Sequence, residues 1–211
     1  MKKIILLLTW LVMFSPARTQ VVIDKHINFT GKESIILNIQ IADSIVVHTW
    51  NKKEVYAKAS VSINDNKDNE AYVTSFDETG NAVRINARIK ENYFKANNNC
   101  CTSNMIIWKL YIPENTAFSV ETIDGNITID GKTSEIDAKT ISGFIDLKFS
   151  ANRNADLKLK TISGKFYSDL DLASDKMNNG MPSVIAQRMN NGGVPVNLET
   201  ISGNIYFRKS Y

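Results

Sequence analysis

Apolar and polar residues alternate with a period of two along much of the chain. Ile35, Leu37, Ile39 and Ile41 open the pattern, and Ile45, Val47 and Thr49 continue it to a turn at Asn51-Lys52-Lys53. Val55, Ala57, Ala59 and Val61 form the next run, Val83, Ile85, Ala87 and Ile89 another, and Ile106, Trp108, Leu110 and Ile112 a further one ending at Pro113. This is the period of half-buried β-strands, and a proline that cannot donate to a ladder closes the last of them. Asn64 to Glu70 reads as a polar turn and Asn92 to Asn104 as an Asn-rich loop. No amphipathic helix of convincing length interrupts these strands.

The second half carries a short phrase four times: Glu121-Thr-Ile-Asp-Gly125, Lys139-Thr-Ile-Ser-Gly143, Lys160-Thr-Ile-Ser-Gly164 and Glu199-Thr-Ile-Ser-Gly203. From threonine to threonine the steps are 18 residues to Thr140, 21 to Thr161 and 39 to Thr200. A period near 20 in strand-forming residues predicts an all-β fold, a single-stranded β-solenoid or β-helix-like stack of short repeats whose strands are joined by Gly and Asn turns. The expected organisation is a secretory signal peptide over residues 1–20, an N-terminal strand half over 21–115 and a repeat half of the same elongated domain over 116–211. Loop chemistry in the long third step, such as Met177 to Pro182, predicts an excursion over 171–195.

Alternation also predicts which side chains stack. With the threonines inward, Val120, Ala138, Leu159 and Leu198 form one inward column, and Asp124, Ser142, Ser163 and Ser202 another. Beyond the glycines, Ile127, Ile145, Phe166 and Ile205 and then Ile129, Leu147, Ser168 and Phe207 complete the core. The glycines are expected at a corner where φ is positive or where backbones approach closely, and the threonines are expected to hydrogen-bond to one another. Ile123, Ile141, Ile162 and Ile201 fall on the opposite face. Either the segment from Asp171 to Gly193 covers this apolar stripe, which is the preferred reading, or the stripe is a partner surface. Phe144, Tyr167 and Tyr206 point outward from neighbouring repeats and are candidate glycan-facing aromatics.

The start of the chain bears on compartment. Lys2 and Lys3 precede an apolar run from Ile4 to Phe14 that Ser15, Pro16 and Ala17 break, the order of a signal peptide, with cleavage expected near Thr19 or Gln20. That run is too short for a transmembrane helix, which needs roughly 20 apolar residues. Removing Lys2, Lys3 and Arg18 turns 25 basic against 22 acidic residues into 22 against 22. A neutral mature chain has no basic stripe for phosphate backbones, which argues against a nucleic-acid partner. Cys100 and Cys101 are adjacent, and in an oxidising compartment they can form a vicinal disulfide or an intermolecular bridge, or remain free.

Three stretches carry a family resemblance: Ala42 to Val55, Leu110 to Asn115, and the Thr-x-Ser/Asp-Gly-x-Ile repeats. Together they resemble the bacterial putative-adhesin domain family over about Ile35 to Phe207. The resemblance implies a secreted or envelope β-repeat protein and carries no catalytic residue with it.

Asp146 beside Lys148, Asp169 beside Lys165 and Arg208 beside Tyr206 are outward residues that solvated strand charges explain as well as catalysis does, and the two histidines, His26 and His48, come without a Ser-His-Asp order, a His-x-x-x-His spacing or a phosphate-binding Gly loop. No catalytic, cofactor-binding or metal-binding residue is therefore expected. The expected function is a non-catalytic adhesin-like binding or envelope-structural module, exported to the periplasm, the cell surface or the medium. Its expected partners are a protein or glycan at the cell surface, or a second copy through self-association. The alternatives are a carbohydrate-active enzyme on a β-helix scaffold and an envelope-stress signalling accessory.

Overall fold

The computed structural model describes residues 19–91, 93, 103–172 and 183–210. Most of the predicted signal peptide and both cysteines lie outside the described residues. The strands are β1 (Val21–Asn28), β2 (Ser34–Ile39), β3 (Ile41–Trp50), β4 (Glu54–Ile63), β5 (Tyr72–Asp77), β6 (Ala82–Ile89), β7 (Asn104–Pro113) and β8 (Ala117–Asp130). There follow β9 (Ile136–Ser142), β10 (Ile145–Phe149), β11 (Ala155–Thr161), β12 (Phe166–Ser168), β13 (Ser183–Met189), β14 (Val194–Ser202) and β15 (Ile205–Lys209). Between β4 and β5 lies a 3₁₀ turn, Asn69–Ala71. Of the stretch 171–195, expected as a loop excursion, residues 183–189 are strand β13 and 194–195 open β14, while 173–182 lie outside the described residues.

All fifteen strands belong to one mixed sheet. Its long central strand β8 joins two arms. Before Gly125, β8 pairs in parallel with β2 and β9; after Gly125 it pairs in parallel with β3 and β10. Antiparallel strands extend the arms: β4 lies between β1 and β7, β5 pairs with β6, and β13 pairs with β11.

This architecture corrects the expected single-stranded solenoid. Successive repeats do not stack in chain order: β9 pairs with β14 and β14 with β11, so the fourth phrase lies between the second and the third. Antiparallel neighbours and open edges are likewise incompatible with a single-stranded coil. Charge gives a physical reason for the order. A sequential stack would set Lys139 beside Lys160, whereas the observed register runs Glu121, Lys139, Glu199, Lys160 and alternates in sign across adjacent strands.

The phrase is built around a corner. Thr122, Thr140, Thr161 and Thr200 are buried, and each hydroxyl finds a carbonyl. Thr140 Oγ1 donates to Gly125 O at 3.1 Å, Thr200 Oγ1 to Gly143 O at 3.1 Å, and Thr161 Oγ1 to Gly203 O at 2.9 Å. At the head of the series Thr122 Oγ1 reaches Gln40 O at 3.4 Å. The expected threonine-to-threonine bonds are thus replaced by bonds to the glycine of the preceding strand. Those glycines are required by contact: a Cβ on Gly143, Gly203 or Gly164 would overlap the carbonyl of Gly125, Gly143 or Gly203 respectively. Gly143 also has a φ of +141°.

The bend breaks the period of two. Ile123 and Asp124 are both exposed, and so are their counterparts in the other three repeats, so the Asp124, Ser142, Ser163 and Ser202 column faces outward instead of inward. Beyond the corner alternation resumes, with Ile127, Ile145 and Ile205 and then Ile129, Leu147 and Phe207 buried. Ser168 is exposed and Phe166 half-buried because β12 is a short edge strand.

Inward side chains from both arms form one continuous core, from Ile35 and Leu37 through Val120 and Leu198 to Phe149 and Phe207. Near its N-terminal end Trp108 is fully buried, and its Nε1 donates to Tyr72 Oη at 2.9 Å. Tyr72 Oη in turn donates to Ile41 O at 3.3 Å. Burial pushes the Tyr72 phenol well above its ordinary pKa, against the smaller lowering effect of the Trp108 hydrogen bond.

Gly203→Ala is expected to lower the free energy of urea unfolding by more than about 3 kcal/mol, because the clash is with backbone. Gly31→Ala, at φ +76° with open space around it, should cost only about 1–2 kcal/mol. The folded Tyr72 phenol ionises at higher pH than the unfolded one, so its contribution is whole below about pH 10 and drains away as pH rises above that value. Tyr72→Phe should therefore reduce the fall of the urea midpoint above about pH 10. Some slope should persist, since burial and a 2.7 Å bond to Asp68 push Tyr93 up to about 12.

Candidate functional site

In the spatial order of the strands, Ile123, Ile141, Ile201 and Ile162 are 48%, 46%, 41% and 38% exposed. The registers Thr122 to Thr140, Thr140 to Thr200 and Thr200 to Thr161 place these isoleucines side by side in a continuous apolar column along the corner. The described part of the segment expected to cover it does something else: β13 pairs with β11 and widens the sheet. Two residues before each isoleucine, on the same outward face, runs the alternating row of Glu121, Lys139, Glu199 and Lys160. Lys160 Nζ lies 2.5 Å from Glu199 Oε1. The Lys139 ammonium is held above its usual pKa first by its 2.9 Å bond to Asp137, with Glu121 and Glu199 adding to the effect. A shallow groove of about 370 Å³ opens beside Ile123, lined also by Asn38, Gln40, Arg88 and Glu121.

Phe144, Tyr206 and Tyr167 are brought together on the second arm. Tyr167 stacks on Tyr206 with centroids 5.1 Å apart and planes 13° apart, and Phe144 meets Tyr206 edge-to-face at 5.8 Å. At these separations the rings turn their faces and edges to one another, and Tyr167, on a strand paired only with β15 among the described residues, is exposed.

A larger aromatic row escapes a reading of the sequence. His26, Tyr56, Tyr111 and His48 are cross-strand partners on β1, β4, β7 and β3, and Trp50 joins them. His26 stacks on Tyr56 at 4.4 Å, Tyr56 on Tyr111 at 6.0 Å, and Trp50 contacts Tyr111 at 5.4 Å. Lys52 Nζ sits 4.5 Å above the Trp50 ring. Tyr56 Oη donates to Asp24 Oδ2 at 3.0 Å, and that bond raises the Tyr56 phenol above its ordinary pKa. Outward parity of His48 and Trp50 is visible in the sequence. What the sequence conceals is that strands align rings lying 30 (His26 to Tyr56), 55 (Tyr56 to Tyr111) and 63 (His48 to Tyr111) residues apart.

The acidic groups that a catalytic reading would use are engaged locally. Asp146 is buried and accepts a bidentate contact from Arg208, whose Nε lies 2.8 Å away. Asp130 pairs with Lys148 at 2.7 Å, and Asp169 accepts the Lys209 amide. Among the described residues no group of three or more His, Cys, Asp or Glu is arranged to hold a metal ion. Among the same residues no helix is long and apolar enough to cross a membrane.

Comparison with solved structures places this arrangement among known folds. A putative cell adhesion protein from Clostridium sporogenes ATCC 15579 superposes with a TM-score of 0.60 at 14% identity, over 91% of this chain and 100% of that one. The two share a fold. A putative adhesin from Bacteroides fragilis NCTC 9343 matches at a TM-score of 0.34 and 8% identity, over 92% of this chain and 99% of that one. A putative lipid binding protein from Parabacteroides distasonis ATCC 8503 matches at 0.27 and 11%, over 90% and 97%. Values this low carry no argument about fold. No protein-family model matches the chain, and neither does any curated protein.

Tyr56 is the hub of the larger aromatic row. Tyr56→Ala is expected to lower stability by about 1–3 kcal/mol in chemical denaturation, since it removes the contacts of its ring with His26, Tyr111 and Trp50 together.

Proposed function

We propose that this chain is an exported, non-catalytic binding module of the adhesin type, acting outside the cytoplasm through the isoleucine column. The observation that carries the reading is four large apolar side chains held in register and exposed on a scaffold whose buried face is fully occupied. Apolar surface of that regularity favours a partner that brings apolar surface of its own. A protein fits better than a glycan, because the faces of Tyr206, Tyr56 and Tyr111 are spent on neighbouring rings. The engagement of Asp146, Asp130 and Asp169 in local bonds supports a scaffold role for these carboxylates over an acid–base one. The basic and apolar start of the chain supports export, and the fold shared with the Clostridium sporogenes protein is compatible with an adhesive role.

Co-sedimentation of the purified exported chain with envelope fragments of the cells that produce it tests this reading. Ile141→Asp should reduce the bound fraction at least about tenfold and leave the far-UV circular dichroism β signal intact. Equal binding by the variant would overturn the reading. Loss of the β signal would mean that Ile141 is structural and not presented to a partner.

A further inference from the structure

The row of charges beside the isoleucine column has a symmetry that its order in the chain lacks. In chain order the leading residues of the four phrases read Glu, Lys, Lys, Glu, which reversed against itself opposes like charges at every position. In space they read Glu121, Lys139, Glu199, Lys160, and this order reversed against itself opposes unlike charges at every position. A surface complementary to its own reversal is what an isologous dimer requires, since a twofold axis makes residue i face residue j and j face i.

We infer that the isoleucine-and-charge face is the contact between two copies of this chain. The twofold axis lies in the plane of the interface, parallel to the strands and between β9 and β14. This operation keeps each row facing its own kind and reverses its order. Ile123 then faces Ile162 of the second copy and Ile141 faces Ile201, so the columns bury one another. Glu121 faces Lys160 and Lys139 faces Glu199, giving four opposite-charge contacts across the pair. The inference rests on the reading of the isoleucine column as a binding surface and names its occupant. Four strands span only about 15 Å at the usual spacing, so the contact belongs at the small end of specific interfaces and the dimer is weak and concentration-dependent.

Sedimentation equilibrium of the purified exported chain, from about 1 μM to about 1 mM, reads this directly. The weight-average mass should rise from one chain towards two. Lys139→Glu and Glu199→Lys each bring like charges together twice across the axis, and each should weaken association at least about tenfold. An equimolar mixture of these two variants should recover association, because the heterodimer restores all four opposite-charge contacts.

The double variant Lys139→Glu/Glu199→Lys, which is again self-complementary, should also associate and serves if either single variant fails to fold by circular dichroism. A chain that stays monomeric throughout overturns the inference, as does association untouched by the charge changes. Weakening that neither the mixture nor the double variant reverses overturns it too. Envelope binding that is lost in Ile141→Asp while the parent chain sediments as a monomer would overturn the dimer and leave the binding surface standing.

Discussion

A single contact recurs at the corner of this sheet: a buried threonine hydroxyl donating to the carbonyl of a glycine on the neighbouring strand. Both partners are needed. The glycine lets the backbones approach until no side chain fits between them, and the threonine supplies a donor to the carbonyl at that approach. A buried carbonyl without a partner is costly, so the two residues are coupled within each phrase. Repetition across four strands converts a local turn into a continuous edge about which both arms are hung. The core on one side and the isoleucines on the other are consequences of where that edge lies.

Because the corner interrupts alternation, two consecutive residues of each phrase emerge on the outside. One is apolar and one is polar in every repeat, so the outer margin of the corner is a pair of parallel tracks, isoleucine beside serine or aspartate. A regular strand would have buried one of the two. The same break separates surfaces of different character. Outward residues before the bend form charged rows, whereas those after it include the Phe144, Tyr206 and Tyr167 rings. Aromatic rows lie across antiparallel as well as parallel neighbours, and there they reinforce pairing between strands that the chain brings together from far apart.

Much of the β content was legible from alternation alone, since β2, β3, β4, β6 and β7 fall where the period of two placed them. The strands β1 and β5 were not read, because Val21 to Asn28 and Tyr72 to Asp77 lack clean alternation and owe their pairing to β4 and β6. Register within the repeats followed from identical threonines. Their spatial order did not, although a hint was present: a row that reads Glu, Lys, Lys, Glu along the chain sets two lysines side by side, and entry of the last phrase between the second and third separates them. Outward placement of the isoleucines was readable, whereas their exposure depended on where the segment before β14 runs. The outward aspartate and serine column was misread because period-two reasoning cannot see a bend that needs a glycine and a close approach.

The placement of β14 also governs when the sheet can be completed. This strand, from Val194 to Ser202, lies between β9 and β11, yet it follows β11 and β13 in the chain. A polypeptide made N-terminus first can form β8 and β9, but β9 then presents an unpaired edge, and in the folded chain that edge is taken by β14 and not by β11. Once Val194 to Lys209 have been made, β14 can enter between β9 and β11 and β15 can add to β10. Closure is therefore a long-range event of the kind that slows folding, and the arm stays open between β9 and β11 until residues 194–202 have been made.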